Sequence, residues 1–94
     1  MGYLLHTYAV LFHPALDELN GFRTVVYDWK GDIFHKVNSF GYGVLRQIDK
    51  NPGTTLKGLV GEIAKARKES IWQNEQKVKN FVEQMIKENV IIEQ

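Results

Sequence analysis

The chain has 94 residues, a formal charge of +1 and no cysteine, and 44% of its residues are hydrophobic. This length fits one domain with a modest core, and the apolar content argues against disorder. The lack of cysteine excludes disulfides, thiolate metal ligands, iron–sulfur ligation and cysteine nucleophiles, while a charge near zero provides no strong general field for nucleic acid or anionic lipid.

The first segment of the chain is apolar, yet it does not have the pattern of a targeting signal. Polar residues interrupt the run over residues 3–12, and no basic residue precedes it. A spanning helix needs about 20 apolar residues, so we expect no membrane segment, no signal peptide and a cytoplasmic protein. We treat the chain as a single domain, residues 1–94, in which residues 1–14 are an N-terminal extension. This extension could extend a sheet, cover the core or contact another chain.

The following region predicts β-structure. Residues 22–27 are mainly β-branched and aromatic, which suits a pleated strand. Residues 28–31 predict a turn in which Gly31 supplies the positive φ of a hairpin loop, and residues 32–37 return as the partner strand. A shorter strand is expected around residues 15–19. The N-terminal part should therefore form a three-stranded antiparallel sheet.

The second half of the chain has apolar residues at helical spacing. Asn38 or Ser39 should cap the first helix, which residues 49–53 interrupt. Thr54 or Thr55 should start the second. An apolar stripe at helical spacing then faces the core, formed by Leu56, Leu59, Val60, Ile63 and Ala64.

A third helix is predicted from about residue 72 to residue 88, and residues 90–92 predict a short terminal strand. The order of elements is therefore strands, three helices and a strand. This order predicts an α+β fold, in which a three-stranded antiparallel sheet precedes a three-helix bundle and a short C-terminal strand.

The sequence offers little that could support catalysis. His6, His13 and His35 fall in predicted strands and loops, and the first two are seven residues apart. A zinc site would need ligand pairs at short, fixed spacing. No GxSxG, HExxH, P-loop or GxGxxG motif occurs. We predict no catalytic residue, no metal site, no cofactor and no enzymatic activity.

Nucleic-acid binding is the alternative function, because the second and third helices followed by a strand suggest a winged helix. A reader helix usually presents several basic and amide side chains to the DNA. The third helix is close to neutral, with Lys77, Lys79 and Lys87 against Glu75, Glu83 and Glu88. The basic residues within 65–68 are the strongest remaining support for this alternative.

Peptide binding fits the pattern better. A short hairpin has open edges with unpaired backbone groups, and such an edge can accept an extended peptide as an added strand. The second hairpin strand alternates Ile33 and Val37 on one face with Phe34 and Lys36 on the other. The third helix is the candidate for the second wall of a groove, where Lys77 would attract an acidic peptide.

Two apolar residues of the third helix have two possible roles. Phe81 and Met85 could line this groove or belong to the core. A further alternative is an assembly subunit in which residues 3–12 pair with a second copy of the chain as a homodimer. These alternatives remain open at the level of the sequence.

The order and spacing of several segments resemble the PqqD-like family. These are the hairpin strings TVVYD and GDIFHKVN, the helical residues 40–49, the segment TTLKGLV and the closing FVEQMIKENVI. The resemblance covers about residues 15–94. It implies a winged-helix-like domain that binds the leader segment of a ribosomally made precursor peptide and presents it to a modifying enzyme, often a radical S-adenosylmethionine enzyme.

The resemblance also implies where the peptide binds. In such domains the leader adds as a strand at the edge of the third strand and rests against the third helix. The positions that carry over are Asp32, Ile33, Phe34, His35 and Lys36 on the strand and Lys77, Asn80, Phe81 and Gln84 on the helix.

Overall fold

The fold combines three helices with five short strands. The structure, a computed structural model, describes residues 2–12 and 24–94. Its strands are β1 (Tyr3–Leu5), β2 (Ala9–Leu11), β3 (Thr24–Asp28), β4 (Ile33–Val37) and β5 (Ile91–Glu93). Its helices are α1 (Ser39–Lys50), α2 (Leu56–Arg67) and α3 (Ile71–Lys87). The predicted α+β class and the order of strands, three helices and a strand are confirmed.

The strands form two antiparallel sheets, so the prediction of a single N-terminal sheet is wrong in this respect. β2, β3 and β4 make one sheet in that order, and β1 pairs with β5 in the other. The chain passes from one sheet to the other through a turn closed by the Ala9 N–H, which donates to the His6 carbonyl at 2.9 Å. The N-terminal segment therefore extends a sheet, one of the three placements left open. The strand predicted around residues 15–19 lies outside the described residues.

The turn between β3 and β4 differs from the prediction at one backbone position. Asp32 has the positive φ, 52°, whereas Gly31 does not. Aspartate tolerates this left-handed conformation, and its carboxylate accepts a hydrogen bond from the Tyr27 hydroxyl at 2.7 Å. The Asp28 carboxylate closes the turn by accepting from the Lys30 N–H at 3.0 Å. As a result, β4 begins one residue later than the sequence predicts.

The helices begin where side chains can satisfy their free N–H groups. Asn38 caps α1 by accepting from the Gly41 N–H at 2.8 Å, and Thr55 caps α2. Ser70 caps α3, and its backbone N–H donates to the Gln73 side chain at 2.9 Å. Such caps each contribute about 1 kcal/mol to stability. The predicted caps of the first two helices are therefore confirmed.

The core lies between the helices and the inner faces of the sheets. Burying one aliphatic side chain contributes about 1.5–3 kcal/mol, so these positions dominate the stability of the domain. The predicted stripe of α2 is buried at four of its five positions, the exception being the half-buried Leu56. The buried hydrophobic residues are Val26, Val37, Val44, Leu45, Ile48, Leu59, Val60, Ile63, Ala64, Val78, Val82, Met85, Val90 and Ile91.

The N-terminal strand is held on both sides by its own chain. The Tyr3 N–H donates to the Thr54 carbonyl, and the Tyr3 carbonyl accepts from the Gly53 N–H, both at 2.8 Å. On its other side β1 pairs with β5, with Leu4 opposite Ile92. Residues 2–5 are therefore part of the domain.

Gly2 marks the closest approach of this strand to the α1–α2 connection. A Cβ atom at Gly2 would lie 2.1 Å from the Gly53 carbonyl oxygen, whereas one at Gly61 on α2 would meet nothing within 4 Å. We expect Gly2→Ala to lower the free energy of unfolding by about 1–3 kcal/mol, because backbone must move to make room. Gly61→Ala should raise it by up to about 1 kcal/mol through helix propensity. Urea denaturation checks both, and equal stability of the two variants would contradict this packing.

Candidate functional site

The larger sheet has two edge strands, β2 and β4, and β4 is the longer of the two. Within residues 2–12 and 24–94, β4 pairs with β3 and with no other strand. An edge strand presents a row of unpaired backbone N–H and C=O groups to its surroundings. The edge of β4 is therefore a place where another chain could add as a strand.

The hydrogen bonds of β3 show which of its residues face β4. The Val25 carbonyl accepts from the Phe12 N–H at 3.2 Å, so Val25 directs its backbone groups toward the β2 side of the sheet. In an antiparallel sheet the backbone groups of one residue point to the same neighbour, and successive residues alternate between neighbours. Val26 therefore directs its backbone groups toward β4.

This alternation identifies the groups on the open edge. Val26 lies opposite His35 in the register of β3 and β4, so His35 forms its backbone hydrogen bonds with β3. Ile33 and Val37 do the same, because they are two residues away along the strand. Phe34 and Lys36 consequently direct their N–H and C=O groups away from β3, toward the open edge.

The side chains of β4 divide between two faces. Val37 is buried and His35 is half-buried on the inner face, whereas Phe34 and Lys36 are exposed on the outer face. Phe34 is 63% exposed, and its ring stacks on Tyr27 with the ring centres 4.5 Å apart. Ile33 shares the inner face but is 50% exposed near the turn. This is the alternation that the sequence predicts.

A stripe of α3 residues forms the neighbouring wall. We call Lys77, Phe81, Gln84 and Glu88 the α3 stripe, because their spacing of four, three and four residues places them on one face of the helix and its C-terminal cap. At the C-terminal end of this stripe, the Glu88 carboxylate lies 3.3 Å from Nδ1 of His35 on β4. The other carboxylate oxygen of Glu88 accepts from the Gln84 side chain at 3.1 Å.

The C-terminal end of β4 approaches the same stripe through Gly41. A Cβ atom at Gly41 would lie 2.7 Å from the Phe81 ring and 3.3 Å from Cβ of Val37. Phe81 and Val37 therefore both lie next to Gly41 of α1, and Phe81 is half-buried against the core. The α3 stripe is thus close to the middle of β4, at His35, and to its C-terminal end, at Val37.

Glu88 links the predicted strand and helix residues, because it contacts both His35 on β4 and Gln84 on α3. Asp32 lies in the turn, where it binds Tyr27, and it is not part of the strand. Asn80 is exposed on α3, and its side-chain oxygen accepts from Gln76 at 2.7 Å. The sequence-based site omitted Glu88, although its position four residues after Gln84 could have suggested it.

A surface cavity lies where β4 ends. It has a volume of about 380 Å³, and it is lined by Asn38, Phe40, Arg67, Lys77 and Phe81. Asn38 directly follows β4, so this cavity lies next to the C-terminal end of the strand. Three of the lining residues, Asn38, Phe40 and Arg67, were missed as site residues, because they come from parts of the chain that are separate in sequence.

Comparisons with protein-family models, curated proteins and solved structures gave no match for this chain. The resemblance to the PqqD-like family therefore rests on the order and spacing of residues. The function has to be inferred from the geometry of β4 and α3.

Other kinds of site find less support in the part of the chain that the structure describes. No group of three or more His, Asp or Glu side chains there is placed to hold a metal ion. None of the helices found there combines the length and the apolar character needed to cross a bilayer. In the basic segment of residues 65–68, Arg67 pairs with Glu69, and this hydrogen bond is the main cause of a lowered pKa of the Glu69 carboxyl.

Proposed function

We propose that this chain is a non-catalytic, winged-helix-like module of the PqqD-like kind, which binds the leader segment of a precursor peptide and presents it to a modifying enzyme. The observation that carries the proposal is the open edge of β4, where Phe34 and Lys36 direct backbone groups outward beside the α3 stripe. A leader peptide would add there as a further strand of the sheet.

The open edge sets the scale of the affinity. Phe34 and Lys36 each offer one N–H and one C=O group, so a guest strand can form up to four backbone hydrogen bonds. Each contributes about 0.5–1.5 kcal/mol, and the ordering of the peptide offsets part of the sum. Backbone hydrogen bonds alone would therefore give a dissociation constant no better than the millimolar range, and side-chain contacts must add several kcal/mol to reach micromolar binding.

The α3 stripe would provide selectivity. Side chains of a guest strand alternate between the two faces of the sheet, so every second one would point toward α3. There they would meet Phe81 and Gln84, with Lys77 at one end. Backbone hydrogen bonds would then supply affinity for any extended chain, and α3 would distinguish between sequences.

The modifying enzyme enters the proposal through the family resemblance. Partners of PqqD-like domains are often radical S-adenosylmethionine enzymes, whose iron–sulfur clusters need cysteine ligands. This chain contains no cysteine, so any such cluster would belong to the partner. The complex would act in the cytoplasm, where precursor peptides are made.

Two alternatives have weaker support. The exposed side of α3 mixes Lys79 and Lys87 with Glu75 and Glu83, so it presents no basic surface to nucleic acid. A homodimer through residues 3–12 would have to use the short outer edge of β2, because Tyr3 is already hydrogen-bonded to residues 53 and 54.

Selection from a displayed library of random dodecapeptides on the immobilised full chain tests the proposal. We expect enrichment of peptides with alternating apolar residues, and micromolar binding of a synthetic enriched peptide by fluorescence anisotropy. An unrelated DNA duplex should not displace this peptide. Failure to enrich any peptide over the bare support would contradict the proposed function. Salt-dependent DNA binding that requires Lys65 and Lys68 would favour the nucleic-acid alternative instead.

A further inference from the structure

The cavity at the end of β4 has two aromatic walls. The rings of Phe40 and Phe81 lie edge to face, with their centres 6.4 Å apart. Asn38 lies between the end of β4 and this aromatic pair in sequence, and it also lines the cavity. A guest strand that follows the open edge past Val37 would therefore bring a side chain to the cavity.

Two cations line the same cavity. The Arg67 guanidinium lies 5.3 Å from the centre of the Phe40 ring, and Lys77 is the N-terminal member of the α3 stripe. Glu69 accepts a hydrogen bond from Nε of Arg67, so it offsets one of the two charges. The pKa of Glu69 is lowered first by the hydrogen bond from Arg67 and to a lesser extent by the charge of Lys77. The group of three side chains keeps a net positive charge.

Charge also changes along the groove. The α3 stripe begins with Lys77 at the cavity and ends with Glu88, which contacts His35 in the middle of β4. The Asp32 carboxylate lies in the turn that precedes β4, so the turn end of the groove is acidic. An acidic side chain of a guest peptide would consequently be favoured at the cavity and disfavoured at the turn.

We infer that the peptide bound by this chain carries an aspartate or glutamate that enters the cavity beside Phe40 and Phe81, where Arg67 and Lys77 bind its carboxylate. This inference rests on the proposed function and adds a substrate requirement to it. The aromatic walls would contact the methylene groups of the acidic residue, while the two cations bind its charged end. The acidic position is fixed relative to the register on β4, since only alternate guest side chains face α3.

A charge reversal at Lys77 tests the inference. Dodecapeptide libraries are selected on the wild-type chain, on Lys77→Glu and on Lys79→Glu. The third variant makes the same charge change at an exposed α3 residue that is not among those lining the cavity. We expect Asp or Glu at one fixed position with the wild type and Lys79→Glu, and Lys or Arg at that position with Lys77→Glu.

A synthetic peptide then measures the size of the effect. Replacing its acidic residue by the matching amide should weaken binding to the wild type about fivefold, which is the upper end of the contribution of a partly exposed ion pair. The same replacement should not weaken binding to Lys77→Glu. The inference is overturned if the enriched peptides have no fixed acidic position, or if Lys79→Glu changes the preferred residue at that position as Lys77→Glu does. Either result leaves the proposed function standing. If no peptide is enriched on the wild type, both fail.

Discussion

Lys36→Pro is expected to weaken the binding of an extended peptide by about tenfold, because proline removes the N–H group that Lys36 directs to the open edge. The guest carbonyl that would accept this hydrogen bond is left without its partner. Proline is tolerated on edge strands where the N–H faces solvent, so the sheet should stay intact. Titration of a labelled peptide by fluorescence anisotropy measures the loss.

Lys36→Ala is the matched control for this substitution. It removes the same exposed side chain but keeps the backbone N–H. We expect its affinity to stay within about twofold of the wild type, since an exposed lysine contributes little by itself. Equal losses for the two variants would show that the Lys36 side chain, and not the edge of the strand, binds the peptide. Should Lys36→Pro fail to fold, a peptide N-methylated at the amides facing β4 tests the reciprocal hydrogen bonds, which those amides would donate to the Phe34 and Lys36 carbonyls.

The contact between Phe81 and Gly41 should dominate the stability of the wall beside β4. We expect Phe81→Ala to lower the free energy of unfolding by about 3 kcal/mol, because the half-buried ring packs on α1. Gly41→Ala should lower it by about 2 kcal/mol, since the added Cβ would lie 2.7 Å from the same ring. Urea denaturation of both variants and of the double variant provides the measurement.

The double variant decides whether the contact between the Phe81 ring and the new Cβ at position 41 causes the loss of stability in Gly41→Ala. Without the Phe81 ring, the nearest atom to the new Cβ is Cβ of Val37 at 3.3 Å, so Gly41→Ala should then cost little. We expect a coupling of about 1–3 kcal/mol between the two sites. Gly43→Ala is the control, because its Cβ would meet only Ile63 at 4.0 Å and should not couple to Phe81. Additive losses at Gly41 and Phe81 would contradict the packing described here.

These expectations also change how Phe81 can be used as a probe. The sequence left open whether Phe81 lines a groove or belongs to the core, and the structure places it in contact with both. A loss of peptide binding in Phe81→Ala would therefore have two causes, the lost contact with the peptide and the displacement of α1. Substitutions at the exposed Lys77 avoid this ambiguity, because its side chain lines the cavity without belonging to the core.

The local parts of the fold could be predicted from the sequence. The three helices lie close to the predicted positions, because their apolar spacing and their capping residues Asn38 and Thr55 act within a few residues of the chain. The hairpin was predicted for the same reason, since a turn joins its two strands directly. The alternation of Phe34 and Lys36 with His35 and Val37 followed from the strand itself.

The remaining features depend on contacts between distant parts of the chain. Pairing of β1 with β5 joins the two ends of the chain, and no local pattern indicates which strand an apolar segment will choose. His35 and Glu88 are 53 residues apart in sequence and meet only when α3 packs beside β4. The cavity likewise needs residues from α1, α2 and α3. Even in the turn, the positive φ falls on Asp32 instead of Gly31, and the Asp32 carboxylate accepts a hydrogen bond from Tyr27, five residues earlier in the chain.

Hydrogen exchange of individual backbone amides tests the role of β4 most directly. In the free protein the amides of Phe34 and Lys36 should exchange rapidly, while the amide of His35 is protected by its bond to β3. Saturation with an enriched peptide should slow exchange at Phe34 and Lys36 by about tenfold or more, because their N–H groups then donate to the guest. Protection that appears only on β2 or the helices, with Phe34 and Lys36 exchanging as in the free protein, would contradict strand addition at this edge.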